Sequence, residues 1–297
     1  MNWIGVIPAI TTNLRADLTI DHDALAAHCR WMIASGCTGI VCGGSLGEAA
    51  TLTVEEKIAV VRTAVGAVGE RAPVILGIAS LSTREAVALA KAAVAAGARG
   101  LMVLPPYVYT SDWTEMKAHL AAVLRATSLS CMLYNNPIAY KTDFLPEQIA
   151  ELAAEHANLH AVKESSGDVR RITAIRACCR PRLQILVGMD DAIVEGVYAG
   201  AVGWIAGLVN AFPEESVALF DCARRGDREQ AMNLYTWFLP LLKLDTVPKF
   251  VQLIKWVQAE VGRGTPHVRP PRLELAGEDL ARVRVVLGEA LKNRPEN

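Results

Sequence analysis

Short β-rich runs alternate with longer helical patterns through the first ~210 residues, and this alternation constrains the fold more than any other feature. The strand candidates lie at 4–10, 39–43, 74–79, 100–104, 130–135, 160–163, 184–188 and 203–206. Between them, segments such as 23–34, 54–68, 84–96, 115–126 and 147–155 carry apolar residues at helical spacing. Thr53-Val54-Glu55-Glu56 and Ser82-Thr83-Arg84-Glu85 read as capping boxes, Pro146 suits a first helical turn, and Gly36, Gly69 and Gly97 mark helix ends. Strands separated by helices pair in parallel, and eight such units close into a barrel. The competitor is an open doubly wound sheet. The first strand, however, runs into Pro8-Ala9-Ile10-Thr11-Thr12 with no G-x-G-x-x-G turn, and eight strands exceed the usual five or six. The sequence therefore predicts an α/β fold, a (β/α)8 TIM barrel over residues 1–225. The helical segment 214–224 supplies the eighth barrel helix. Segments 228–243, 247–261 and 278–293 form a three-helix C-terminal extension over 226–297, broken by the Pro/Gly-rich loop 262–271.

Composition narrows the class. At 297 residues, 52% hydrophobic and 21% charged, the chain can bury the core of one barrel. A net charge of −1 with no basic stripe argues against nucleic acid and against an anionic membrane surface as partners. The N-terminus lacks the pattern of a secretory leader, and no apolar run approaches the ~18 residues of a membrane span, so a cytoplasmic location is expected. The seven cysteines, Cys29, Cys37, Cys42, Cys131, Cys178, Cys179 and Cys222, have no CxxC spacing and sit mostly among apolar residues, as small hydrophobes do. No His/Cys/Asp cluster has metal-ligand spacing, and no cofactor is expected.

In a β/α barrel the chemistry gathers where the strands stop. The sixth strand ends in Lys163. If residues 159–163 alternate faces, Leu159, Ala161 and Lys163 share a side, and an amine among apolar groups loses hydration and becomes a neutral nucleophile. A lysine at a strand end is ordinarily a surface charge; its companions favour function. The fifth strand ends in Tyr134-Asn135-Asn136-Pro137, and strands about 4.8 Å apart bring the Tyr134 hydroxyl within reach of the amine. The second strand ends in Gly43-Gly44-Ser45-Leu46-Gly47-Glu48, whose glycines let backbone amides of Gly44, Ser45 and Leu46, with the Ser45 hydroxyl, hold a carboxylate. Amine, phenol and anion-holding turn form a set for carbonyl chemistry on a 2-oxo acid. Other residues have plainer explanations. His160 is expected on the opposite strand face, packed under a helix. Asp190-Asp191 is read as a helix-start pair serving capping and the dipole, and Glu48 as support for the turn's backbone. Tyr107, Tyr109 and Tyr140 lie near the mouth, against substrate or a neighbouring subunit.

Gly44-Ser45-Leu46-Gly47-Glu48 resembles the G-[ST]-[ST]-G-E turn of the dihydrodipicolinate synthase/N-acetylneuraminate lyase family. Tyr134-Asn135-Asn136-Pro137 resembles its Y-N-x-P motif, and Val162-Lys163-Glu164-Ser165-Ser166-Gly167 its lysine motif. Order and spacing match along nearly the whole chain. The resemblance implies a (β/α)8 barrel, usually a homotetramer, with Lys163 forming a Schiff base, Tyr134 relaying protons and the Ser45 turn binding the substrate carboxylate. Three departures argue against lysine biosynthesis: Ala139 stands where the synthases carry an arginine, Val108 falls near their second relay tyrosine, although Tyr109 could substitute, and Leu46 replaces the second hydroxyl of the turn. The segments 3–12, 237–242, 261–264 and 269–273 resemble instead the 1-pyrroline-4-hydroxy-2-carboxylate deaminases of hydroxyproline breakdown. That resemblance implies conversion of the cyclic imine to 2,5-dioxopentanoate and ammonia. A 2-oxo-acid aldolase or hydratase-aldolase is the alternative within the enzyme class, followed by dihydrodipicolinate synthase. A ligand-binding barrel without chemistry is the alternative outside it.

Overall fold

A computed structural model describes residues 1–106, 109–179 and 182–295. Eight strands, β1 (Gly5–Pro8), β2 (Ile40–Cys42), β3 (Val74–Ile78), β4 (Gly100–Val103), β5 (Ser130–Asn135), β6 (Leu159–Glu164), β7 (Gln184–Val187) and β8 (Gly203–Ala206), pair in parallel in chain order. β1 pairs with β8, and the bridge from Ala9 to Val41 joins it to β2, so the sheet closes as the (β/α)8 barrel the alternation predicts. The helices outside are α1 (His22–Ala34), α2 (Val54–Val68), α3 (Thr83–Ala95), α4 (Trp113–Arg125), the single turn α5 (Pro137–Tyr140), α6 (Pro146–Glu155), α7 (Arg170–Cys179), α8 (Ile193–Ala199) and α9 (Pro213–Arg225). Then come α10 (Arg228–Leu242), α11 (Phe250–Glu260) and α12 (Gly277–Lys292). Among the described residues, no helix is long and apolar enough to cross a membrane.

Local signals explain the boundaries. Thr53 and Glu56 exchange the two bonds of a capping box at 3.2 and 2.9 Å, and Ser82 caps Glu85 at 3.2 Å. Pro146 opens α6 and Gly69 closes α2. One boundary differs in a way that matters: the helical pattern 247–261 starts only at Phe250. Pro248 has no N–H to donate and pushes Val247 out of helical geometry, so 246–249 stay irregular.

Each strand has an inner and an outer face, and both are apolar. Ile7, Val41, Ile75, Met102, Met132, Ala161, Leu186 and Ile205 fill the barrel, with Trp3 beneath them. Val6, Ile40, Leu76, Leu101, Leu133, Val162, Ile185 and Trp204 pack outward against the helices, in a core that continues into Tyr235, Phe238, Leu241 and Leu287 of the extension. Strict alternation fails once. Cys131 pairs with Leu159 and Met132 with Ala161, leaving His160 as an extra residue on β6. Leu159 therefore joins the outer layer and does not share a face with Lys163. His160 is not under a helix: it is exposed, its Nδ1 2.8 Å from Ser130 Oγ, which also accepts from Trp3 Nε1 at 2.8 Å. It lies at the closed end of the barrel, away from the mouth.

Candidate active site

Beyond the bulge, β5 and β6 run in register, and Tyr134 pairs directly with Lys163. Both side chains are buried, and Lys163 Nζ lies 4.0 Å from the centroid of the Tyr134 ring. Sequence spacing suggests an amine beside the hydroxyl; in the structure the amine meets the ring face, while the hydroxyl accepts from Asn136 Nδ2 at 3.1 Å. Burial pushes the phenol up to about 12, with the Asn136 bond pulling against it. Burial also lowers the Lys163 pKa, opposed chiefly by Asp245, then Tyr140 and Asp190. The strand end is fixed from the opposite face: Glu164 accepts from Asn135 Nδ2 at 3.1 Å and from the Ser166 amide at 2.6 Å. Space for the amine comes from Gly188, where a Cβ would fall 2.5 Å from Lys163 Cε and 2.0 Å from Ser165 Oγ.

Lys163 and Tyr134 line a cavity of about 460 Å³ together with Gly44, Ser45 and Leu46, so all five residues singled out from the sequence meet in one place. Gly43 turns the chain after β2 with φ +64°, a conformation costly for a side chain. Ser45 Oγ and the Tyr140 hydroxyl hydrogen-bond, and the Tyr140 ring meets Tyr134 edge-on at 5.7 Å. Tyr140 is thus the mouth tyrosine on the cavity, beside Asn136 and Ala139 of the same turn. Tyr109 is 56% exposed. Tyr107 and Val108 lie outside the described residues.

Two acidic readings are corrected. Glu48 supports the turn from further away than its own backbone. In a left-handed conformation (φ 56°), its buried carboxylate accepts from Lys255 Nζ at 2.7 Å and from the Arg269 amide at 2.9 Å. Leu46 packs on Val251, Ile254 and Val268, so α11 and the loop after it brace the turn. Arg269 continues the clamp with a bidentate pair to Glu56 at 2.6 and 2.8 Å. Asp190, read as a cap of the helix it starts, instead caps the turn Leu208–Asn210 after β8. It is fully buried and accepts from Trp204 Nε1 at 2.9 Å, Gly207 N at 3.1 Å and Leu208 N at 2.7 Å, holding the chain after β8. Burial lifts its pKa to about 6 despite those donors and Lys163.

Residues 2–290 match the model of the dihydrodipicolinate synthetase family. The chain belongs to that family. A 4-hydroxy-tetrahydrodipicolinate synthase of Chelativorans sp. (strain BNC1) is 33% identical over 287 residues, covering 96% of this chain and 98% of its own. A probable 5-dehydro-4-deoxyglucarate dehydratase of Pseudarthrobacter chlorophenolicus is 33% identical over 290 residues, covering 95% and 94%. Among solved structures, a prophage protein of E. coli K12 belonging to the dihydrodipicolinic acid synthase family, in complex with pyruvate, superposes with a TM-score of 0.91 at 28% identity, covering 97% and 98%. As a member of the dihydrodipicolinate synthetase family, the chain belongs to an enzyme family of lyases and dehydratases.

This dihydrodipicolinate synthetase family chain also carries cavity residues that sequence reasoning missed. Asp245 and Arg272 line the cavity with Thr246, Val247, Pro248 and Phe250, all from the segment after α9. Nothing in their spacing announces it. The nearest signal is Pro248, which stops α11 short and leaves a loop to turn inward.

Proposed function

We propose that the chain is a Schiff-base-forming deaminase that converts 1-pyrroline-4-hydroxy-2-carboxylate to 2,5-dioxopentanoate and ammonia. The observation that carries the reading is the desolvated Lys163 amine on the face of Tyr134, inside a cavity whose wall has Ala139 and Leu46 where the synthases carry an arginine and a hydroxyl. Ala139 leaves the wall next to Tyr140 without an arginine, and the guanidinium on the cavity is that of Arg272 from the C-terminal extension. Family membership supports the Schiff-base chemistry, and a dehydratase relative supports loss of a hydroxyl.

In this mechanism neutral Lys163 attacks C2 of the cyclic imine, and cleavage of the C2–N1 bond opens the ring as the lysine imine forms. The protonated imine acidifies C3. Tyr134, whose ring faces the amine, returns and takes protons; its raised pKa keeps the phenol protonated until the iminium charge forms next to it and favours the phenolate. The 4-hydroxyl leaves as water, the amine at C5 tautomerises to an imine, and hydrolysis at C5 and C2 releases ammonia and the dioxo acid. Overall one water is consumed. Gly44, Ser45 and Leu46 hold the C1 carboxylate through backbone amides and the Ser45 hydroxyl. We take the working form to be a cytoplasmic homotetramer in which residues 1–225 carry the reacting groups and 226–297 close the mouth.

The test is ammonia release and 2,5-dioxopentanoate formation from 1-pyrroline-4-hydroxy-2-carboxylate, with borohydride trapping of pyruvate at Lys163 alongside. Failure to trap pyruvate or any pyrroline carboxylate would falsify every Schiff-base reading. A second reading is favoured by the dehydratase relative: elimination of water from an open-chain 2-oxo sugar acid. Turnover of 5-dehydro-4-deoxyglucarate without turnover of the pyrroline would select it.

A further inference from the structure

Asp245 ends the single turn Lys243–Asp245 that follows α10, and it lines the cavity with Lys163 and Gly207. It is set against Gly207: a Cβ there would fall 2.1 Å from Asp245 Oδ1, so only glycine leaves room for the carboxyl. The two carboxyls near the amine have different commitments. Three N–H donors occupy Asp190, tying it to the chain after β8. No hydrogen bond among the described residues engages Asp245. Its pKa is raised well above the usual carboxylate range by burial first, then by Asp190 and Asp191, with Lys163 opposing, which favours the protonated form of the group.

An elimination from C4 needs that proton. Hydroxide is a poor leaving group, and Tyr134, at the Lys163 amine, is placed for the C3 proton rather than for both ends of the bond. We propose that Asp245 is the general acid of the elimination: as the C3–H electrons form the C3–C4 double bond and the C4–O bond breaks, its carboxyl proton passes to the departing oxygen, releasing water and leaving Asp245 ionised. The proton removed from C3 returns it to the acid form by way of solvent. The inference rests on the hydroxyl-eliminating reading above and adds to it a residue from outside the barrel.

The test compares wild type with Asp245→Asn in three assays: borohydride trapping of pyruvate at Lys163, turnover of 1-pyrroline-4-hydroxy-2-carboxylate, and turnover of its 4-fluoro analogue. Fluoride leaves without a proton. Trapping should stay within about 3-fold, hydroxyl elimination should fall about 100-fold or more, and fluoride elimination should change by less than about 5-fold. An equal loss on both leaving groups, or none on the hydroxy substrate, overturns the proposal while the deaminase reading stands. A wild type that eliminates from neither substrate overturns both. If Asp245→Asn does not trap pyruvate, Asp245→Ser takes the same comparisons, and loss of trapping in both variants assigns Asp245 to holding the amine and overturns the acid role.

Discussion

Lys163 Nζ stands 4.0 Å from the centre of the Tyr134 ring, and the two residues are direct register partners on β5 and β6. Their separation is therefore set by sheet geometry, and either can be changed without moving the other. Lys163→Ala should abolish turnover, by at least about 1,000-fold, and remove the borohydride adduct, because no other described amine lines the cavity. Circular dichroism and melting should remain near wild type. Retained turnover in that variant sinks the lysine's role.

Tyr134→Phe keeps the ring face on the amine and deletes the hydroxyl with its bonds to Asn136, Ser165 and Tyr140. The expected outcome is a fall in kcat of about 100-fold or more with little change in KM and with trapping intact. Steady-state kinetics decide it, and an unchanged kcat removes Tyr134 from proton transfer.

Gly188→Ala tests the space behind the amine. The added methyl would fall 2.0 Å from Ser165 Oγ and 2.5 and 2.7 Å from Lys163 Cε and Cγ, so the lysine side chain must shift and the amine is displaced. A misplacement of about 1 Å is expected to lower kcat/KM by about 100-fold with a small change in melting temperature. A variant as active as wild type would show that the amine's position is not set there.

Glu48 and Lys255 form an ion pair at 2.7 Å with both side chains almost fully buried. Glu48→Gln leaves the ammonium without its charge partner and should cost about 3–5 kcal/mol of stability by urea denaturation, and it should raise KM by loosening the Ser45 turn. Adding Lys255→Met should recover part of the stability. If the double variant is no better than the single, the loss comes from packing and not from the stranded charge.

Asp190 gives a signed pH dependence. Its folded pKa, about 6, exceeds the ordinary 3.8, so the folded chain binds that proton more tightly than the unfolded one. This contribution is fully present below pH about 4 and is lost as pH rises through about 6, on the order of 3 kcal/mol. Against wild type, Asp190→Asn should therefore be penalised more at pH 4 than at pH 7 in urea titrations. Equal penalties at the two values count against a protonated Asp190.

The barrel, its eight strands and the meeting of Lys163, Tyr134 and Ser45 were legible because each rests on local chemistry. Apolar periodicity sets the elements, caps such as Thr53 set the ends, and parallel strands carry their last residues to one mouth. What the alternation could not reveal is the bulge at His160, since pairing with β5 places the extra residue and a bulge leaves no mark in composition. Nor could it reveal that Asp190 points at Trp204, Gly207 and Leu208 rather than at the start of its own helix, because its donors lie 14–18 positions away in the chain.

By itself, then, the sequence determined the repeating β/α architecture and which lysine stands at the mouth, since periodicity and strand-end position are properties of neighbouring residues. Only the tertiary structure decided what surrounds that lysine. Asp245 and Arg272 reach the cavity, and Lys255 reaches Glu48, because the helices after residue 225 fold back over the mouth. A buried carboxyl or ion pair takes its charge state from groups far away in sequence, and burial is fixed by packing rather than by spacing.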